Sequence, residues 1–131
     1  LFDFIGIPFQ NRASSFIGAD CYGLVRLVYK EKLNIDVPQP ISSAYASRHV
    51  EREYLKEIST NWYKVDIPQK YDVVAMAHDP MHPKIVQHFG IVIDETHMLH
   101  TLDNVGSHIV KILDYKHFIK GYYRHVKVNN I

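Results

Sequence analysis

The sequence predicts an α+β fold, with helices in the first half packed on an antiparallel β-sheet of about five or six strands. Three observations carry that expectation. The chain has 131 residues, 47% hydrophobic and 12% aromatic, which suits a single domain (1–131) around one buried core. An apolar stripe at helical spacing in residues 20–33, and a charged stretch reading as a second helix to about residue 58, come first. Beyond it the period becomes that of short strands separated by turn residues.

Taken in order, residues 1–19 mix apolar side chains with Gly6, Pro8 and Gly18 and read as an extended arm and loop. Residues 20–33 predict a helix. Asp20 is a good N-cap, and Leu24, Leu27, Val28 and Tyr29 form an apolar stripe. Gly23 is a poor helix former, so it is expected to permit a close approach. The stretch 34–40, with two prolines, ends the helix. Ser42 or Ser43 is placed to cap a second helix through about Ile58, whose Arg48, Glu51, Arg52, Glu53, Lys56 and Glu57 read as a solvated face. Strands are expected at 62–67, 71–77 (YDVVAMA), 88–93 (HFGIVI), 97–102, 108–113 and 122–128, with turns at Asp94-Glu95 and Asp103-Asn104. The segment 78–86, with two prolines, is a loop.

Composition removes several classes of function. A net charge of +1 with His neutral offers no field for nucleic acid or an anionic membrane. One cysteine excludes an internal disulfide and a multi-cysteine zinc or iron–sulfur site. No apolar run approaches the roughly 20 residues that span a bilayer, and no signal-peptide pattern is present. The chain opens at Leu1 without Met, which reads as a piece of something longer.

The single cysteine stands in GADCYGLVRLVYKEKL, between the Asp20 cap and the first helical turn. Unpaired N–H groups and the macrodipole at a helix start favour negative charge. A thiol there is expected to ionise more easily than a free one, which is only about 3% thiolate at pH 7. The same N–H groups can hold the oxyanion formed when a thiolate attacks a carbonyl. An inert buried cysteine is the plain alternative.

A cysteine nucleophile needs a base and a group that orients the base. Nine histidines are available. In the strand starting at His88, alternation sends His88, Gly90 and Val92 one way and Phe89, Ile91 and Ile93 the other. His100 lies on the next strand, where a hairpin brings it to the same face as His88. The helix stripe is expected to bring the Cys21 thiol to this strand, on the same side as the His88 ring.

Asp20-Cys21-Tyr22-Gly23-Leu24-Val25, then His88-Phe89-Gly90-Ile91, then His100, resembles the NlpC/P60 family of papain-like cysteine peptidases. Phe4 to Phe9 is similar to the family's opening arm, Tyr71-Asp72-Val73-Val74 to its Gly-Asp-Leu/Val-Val strand start, and Gly121-Tyr122-Tyr123-Arg124 to a closing strand of phage-tail members. The resemblance implies a papain-like fold with Cys21 as nucleophile, His88 as base and then acid, and His100 as the orienting third member. It places Asp20, Tyr22, Gly23 and Phe9 at the substrate and oxyanion positions. Phe9 stands near where many members carry a Tyr, and a phenyl ring cannot donate a hydrogen bond. The implied reaction is hydrolysis of amide bonds in peptidoglycan stem peptides, typically next to D-glutamate and diaminopimelate, with no cofactor. Tyr22 and Arg26 lean towards the bacteriophage tail branch, with other tail proteins as partners. That branch implies a place in the virion, and a cellular protein of this kind an extracytoplasmic or cell-wall one.

Two other readings compete. His78, His82, His88, His97 and His100 raise the question of a metal. Pro80 lies between His78 and His82 and Pro83 comes after, against a helical pair, and no set of three or four close ligands can be assembled. The other is a structural tail-tip protein that keeps the fold with little or no hydrolase activity.

Overall fold

The computed structural model describes residues 1–39 and 48–128. Ser42 and Ser43, the expected caps of the second helix, lie outside the described residues.

The arm carries more structure than the sequence suggests. A 3-10 turn at Phe2–Phe4 precedes a small hairpin of β1 (Ser14–Ser15) and β2 (Gly18–Ala19). The first helix, α1, runs Cys21–Val28. Its Asp20 cap accepts the Gly23 N–H at 2.6 Å and the Arg12 N–H at 2.7 Å. The expected helix of 20–33 is α-helical only in its first part. Over Tyr29–Leu33 it widens into a π-helical turn, which Asn34 closes in the left-handed conformation (φ 54). The second helix, α2, covers Arg48–Asn61 and so runs three residues past Ile58. Of its charged face, Arg52 and Lys56 are exposed and Glu57 is half-buried, accepting from Asn61 and Trp62.

Six strands form one antiparallel sheet: β3 (Trp62–Val65), β4 (Val73–Met76), β5 (His88–Val92), β6 (His97–Leu102), β7 (Gly106–Lys111) and β8 (Ile119–His125). Their order is β3-β8-β4-β5-β6-β7, so the last strand lies between β3 and β4. The expected strand at 108–113 starts two residues early and yields at Ile112–Tyr115 to a 3-10 turn. β8 starts three residues before Tyr122, because Ile119 and Gly121 pair with Met76 and Ala75. The segment 78–86 is the expected loop.

The sheet has two apolar faces. On one, Leu24, Val25, Leu27 and Val28 of α1 pack with Val73, Ala75, Phe89, Ile91 and Leu99. On the other, Val74, Met76, Val92 and Met98 cluster beneath Tyr115, Phe118 and Tyr122. Gly23 explains how closely α1 can settle. A Cβ there would stand 1.8 Å from the Ala13 carbonyl oxygen. Asp72, buried at the start of β4, accepts two hydrogen bonds from Arg124 of β8 at 2.9 and 2.8 Å and the Gln69 N–H at 2.8 Å. The two motifs Tyr71-Asp72-Val73-Val74 and Gly121-Tyr122-Tyr123-Arg124 are thus joined by one buried, two-pronged ion pair. Tyr71 takes a left-handed φ of 75, a conformation that favours glycine, and its carbonyl accepts the Tyr29 hydroxyl.

Candidate active site

Cys21 sits at the head of α1, where the cap holds the first turn open to the sheet. β5 and β6 pair only at Ile91↔Leu99 and Val92↔Met98. Towards His88 the two strands part and the edge of β5 opens. The Cys21 thiol is placed there. Its Sγ donates to the Gln87 carbonyl at 3.7 Å and lies beside the Phe89 N–H. The thiol therefore flanks the backbone on either side of His88. The expectation that thiol and ring share one face of the sheet needs correction. α1 covers the face of Phe89 and Ile91, the alternation turns His88 to the other, and the sulfur stands at the strand edge between them.

Burial decides the electrostatics. Cys21 is 5% exposed. Loss of water pushes its pKa up to about 12, and the Asp20 carboxylate acts in the same direction. The N–H groups of Phe89, Tyr22 and Cys21 itself pull downward but do not prevail. The sequence-based expectation of an easily ionised thiol is overturned. The helix start lowers a thiol pKa when water still reaches the sulfur, and here burial outweighs it. His88 is held well below its ordinary range by burial and then by the facing imidazole of His100. His100, wholly buried, is pushed down to about 4, first by burial and then by His108. The unliganded site holds a neutral thiol and neutral imidazoles.

His88 and His100 are joined directly, Nε2 to Nδ1, at 2.9 Å. A third ring, which sequence reasoning did not single out, extends the row. His100 Nε2 lies 3.2 Å from His108 Nε2, and His108 Nδ1 donates to the Gly106 carbonyl at 2.8 Å. His100 and His108 are direct cross-strand partners on β6 and β7. A signal for this exists in the sequence. With a three-residue turn at 103–105, Leu102 pairs with Gly106, and counting back sets His100 opposite His108. His78, from the loop, lays its ring 5.1 Å from that of His88.

The other expected site residues separate. Asp20 serves as the cap. Gly23 admits the Ala13 carbonyl. Tyr22 is buried, edge-on to Phe89 at 5.3 Å, on the helix-covered face. Phe9 is half-buried in a small cleft with Gly6, Pro8 and the turn at 103–106. Arg26 fastens α1 to the arm and the following segment, donating to Val37 O at 2.7 Å, Ser14 Oγ at 2.8 Å and Gln39 Oε1 at 2.9 Å. Among the described residues, no three His, Cys, Asp or Glu side chains are placed to hold a metal ion. Nor is any helix among them long and apolar enough to cross a membrane.

Comparison with known proteins agrees with this architecture. The chain resembles the NlpC/p60 domain of the peptidoglycan hydrolase SagA, with 14% identity over 94% of this chain and 91% of that one, at a TM-score of 0.64. It is similar to an NlpC/P60 family protein from Bacillus cereus (24% identity, 90% of this chain and 37% of that one, TM-score 0.61). It is also similar to NlpC1 from Trichomonas vaginalis (16% identity, 89% and 38%, TM-score 0.65). The chain thus spans little more than a third of the latter two. No curated protein sequence matches it. The sequence profile of the NlpC/P60 family matches residues 6–128, which takes in α1, every strand of the six-stranded sheet and the Cys21, His88 and His100 positions. The chain belongs to the NlpC/P60 family.

Proposed function

We propose that this protein is a cysteine peptidase that hydrolyses amide bonds in peptidoglycan stem peptides. The observation that carries this reading is the thiol of Cys21 at the start of α1, set on the edge of the strand that presents His88, whose ring is bonded to His100.

The chemistry starts from the neutral pair. As Cys21 Sγ attacks the scissile carbonyl carbon, its proton passes to His88 Nδ1, the ring nitrogen not engaged by His100. The tetrahedral oxyanion is held by N–H groups at the head of α1. His88, now an imidazolium, gives its proton to the leaving amine, the C–N bond breaks, and a thioester remains. Water, deprotonated by His88, adds to the thioester, and the thiol leaves with its proton restored. His100 orients the imidazole and does not touch the scissile bond. A thiol and an imidazole that both resist charge favour proton transfer in step with attack over a standing ion pair.

Support for the substrate class comes from family membership and from the hydrolase domain of SagA among the structural relatives. A place in a bacteriophage tail rests on the resemblance of Tyr22, Arg26 and the closing strand Gly121-Tyr122-Tyr123-Arg124 to tail members. Tyr22, Arg26 and Arg124 all have packing or pairing duties in this fold, and the wall-hydrolase reading is the one that family membership supports. Digestion of purified peptidoglycan with mass analysis of the products tests it. The wild-type protein is expected to release peptide fragments carrying new amine ends, and Cys21→Ala none. Intact wall after exposure to folded wild-type protein would favour a structural role.

A further inference from the structure

We propose that His108 is a positioning residue that decides, through a backbone carbonyl, which nitrogen of His88 is free to accept a proton. The proposal rests on the reading of His88 as the base.

Hydrogen-bond donors set the order of the rings. A carbonyl oxygen only accepts, so the contact of 2.8 Å between Gly106 O and His108 Nδ1 places a hydrogen on Nδ1. In the neutral ring His108 Nε2 is then a lone pair. It faces His100 Nε2 at 3.2 Å, which must donate. His100 Nδ1 is then a lone pair in turn, and it faces His88 Nε2 at 2.9 Å, which must donate. His88 Nδ1 is left without hydrogen, the state a base for the thiol requires. One carbonyl thus fixes the sense of hydrogen bonding across three rings.

Two imidazoles alone do not fix that sense. His88 and His100 satisfy each other equally with the shared hydrogen on either ring, and one of the two arrangements leaves His88 Nδ1 protonated and useless as a base. The third ring and its carbonyl break the tie. The carbonyl is itself held. Gly106 sits at φ +85, and a Cβ on it would stand 2.8 Å from the Ile7 oxygen. Ser107 next to it is strapped to the arm: its N–H donates to Ile7 O at 2.9 Å, and its carbonyl accepts the Gly6 N–H at 2.8 Å. Its hydroxyl accepts the Ile7 N–H at 2.8 Å and donates to Phe4 O at 2.5 Å.

Ring nitrogen NMR at mildly alkaline pH tests this directly. The wild-type protein is expected to show the hydrogen on Nε2 of His88, on Nε2 of His100 and on Nδ1 of His108. In His108→Phe the Nε2–H of His100 loses its acceptor. A buried N–H without an acceptor is worse than a lone pair without a donor, so His100 should turn its hydrogen to Nδ1 and force His88 into the Nδ1–H form. Peptide hydrolysis should fall about ten-fold or more in kcat with KM little changed. His108→Gln can accept from His100 through its amide oxygen and donate to Gly106 through its nitrogen, so it should recover the wild-type tautomers and most of the rate. A hydrogen on Nδ1 of His88 in the wild-type protein would overturn the proposal, as would an unchanged His88 tautomer in His108→Phe. If His108→Phe does not fold, the wild-type spectrum and His108→Gln still decide. The expected tautomers in a protein that cuts no peptidoglycan would instead sink the peptidase reading and leave only the hydrogen-bond order of the three rings standing.

Discussion

Replacing Gly23 by alanine sets two effects of opposite sign against each other. In an ordinary helix the change gains about 1 kcal/mol, since alanine is the better helix former. Here the new Cβ would stand 1.8 Å from the Ala13 carbonyl oxygen and 2.9 Å from Asp20 Oδ1. Ordinary contact is about 3.5 Å, so relief requires a displacement of about 1.7 Å. Neither neighbour yields freely. Ala13 O is backbone and accepts the Asp20 N–H at 3.2 Å, and the Asp20 carboxylate caps the Gly23 N–H at 2.6 Å. Overpacking costs about 1–3 kcal/mol and a lost cap about 1 more, against the gain of about 1. The net expectation is a loss of about 2 kcal/mol, or a fall of about 7 °C in Tm for a chain this long. The same displacement moves Cys21, two residues away, and a shift of about 1 Å in a reacting group costs about 100-fold in rate. Thermal melts and urea titration of Gly23→Ala give the first number, and peptide hydrolysis gives the second. A variant as stable as the wild type, or more so, would refute the close approach of α1 to the arm.

Acid should unfold the protein through its histidines. His88, His100 and His125 are all depressed by burial, so below about pH 6.5 the unfolded chain takes up protons that the folded one refuses. Their contribution is intact above about pH 6.5 and is lost as pH falls. For His100, with a folded value of about 4, the loss reaches at most about 3 kcal/mol, while Asp20, pushed up by burial, acts in the opposite sense. Urea midpoints that stay flat from pH 7 to about 4 would contradict this. Alkylation of Cys21 in the absence of substrate should keep accelerating into strongly alkaline solution, because the thiol is pushed up to about 12, and a plateau near neutrality would show an ionised thiol instead. His100→Asn, whose amide oxygen can accept from His88 Nε2, should keep more hydrolysis than His100→Ala at matched stability, and both should exceed His88→Ala. Equal rates for the first two in folded protein would take the orienting role away from His100.

The parts of this molecule legible in its sequence are those written in local chemistry. Asp20 as cap, the apolar stripe of α1, the alternation at His88 and the hairpin from His97 to Lys111 all come from period and turn residues. The pairing of His88 with His100 comes from the strand alternation. What could not be read depends on packing between distant segments. The thiol lies where β5 and β6 part, a gap that no local pattern announces, and its burial reverses the expected direction of its pKa. The π-helical turn at Tyr29–Leu33 keeps Tyr29 buried against Trp62 and His125, contacts made only once β3 and β8 are in place. His108 is hidden for a smaller reason: its role shows only when the register of the β6–β7 hairpin is worked out residue by residue.

The place of β8 bears on how such a chain comes into being. A strand laid on the rim of a sheet can be trimmed and leave the rest paired. β8 is seated between β3 and β4, joining Trp62 to His125 on one side and Val73 to Tyr123 on the other. During synthesis from the N-terminus, β3 and β4 therefore wait with open edges until residues 119–125 emerge. The buried carboxylate of Asp72 waits as well, for Arg124. A ribosome stalled before that point would hold Cys21, His88 and His108 with β4 to β7 able to pair among themselves, and with β4 still open on its β8 side. Emergence of residues 119–125 is thus the event that closes the gap between β3 and β4, and a copy stalled before them has exposed strand edges.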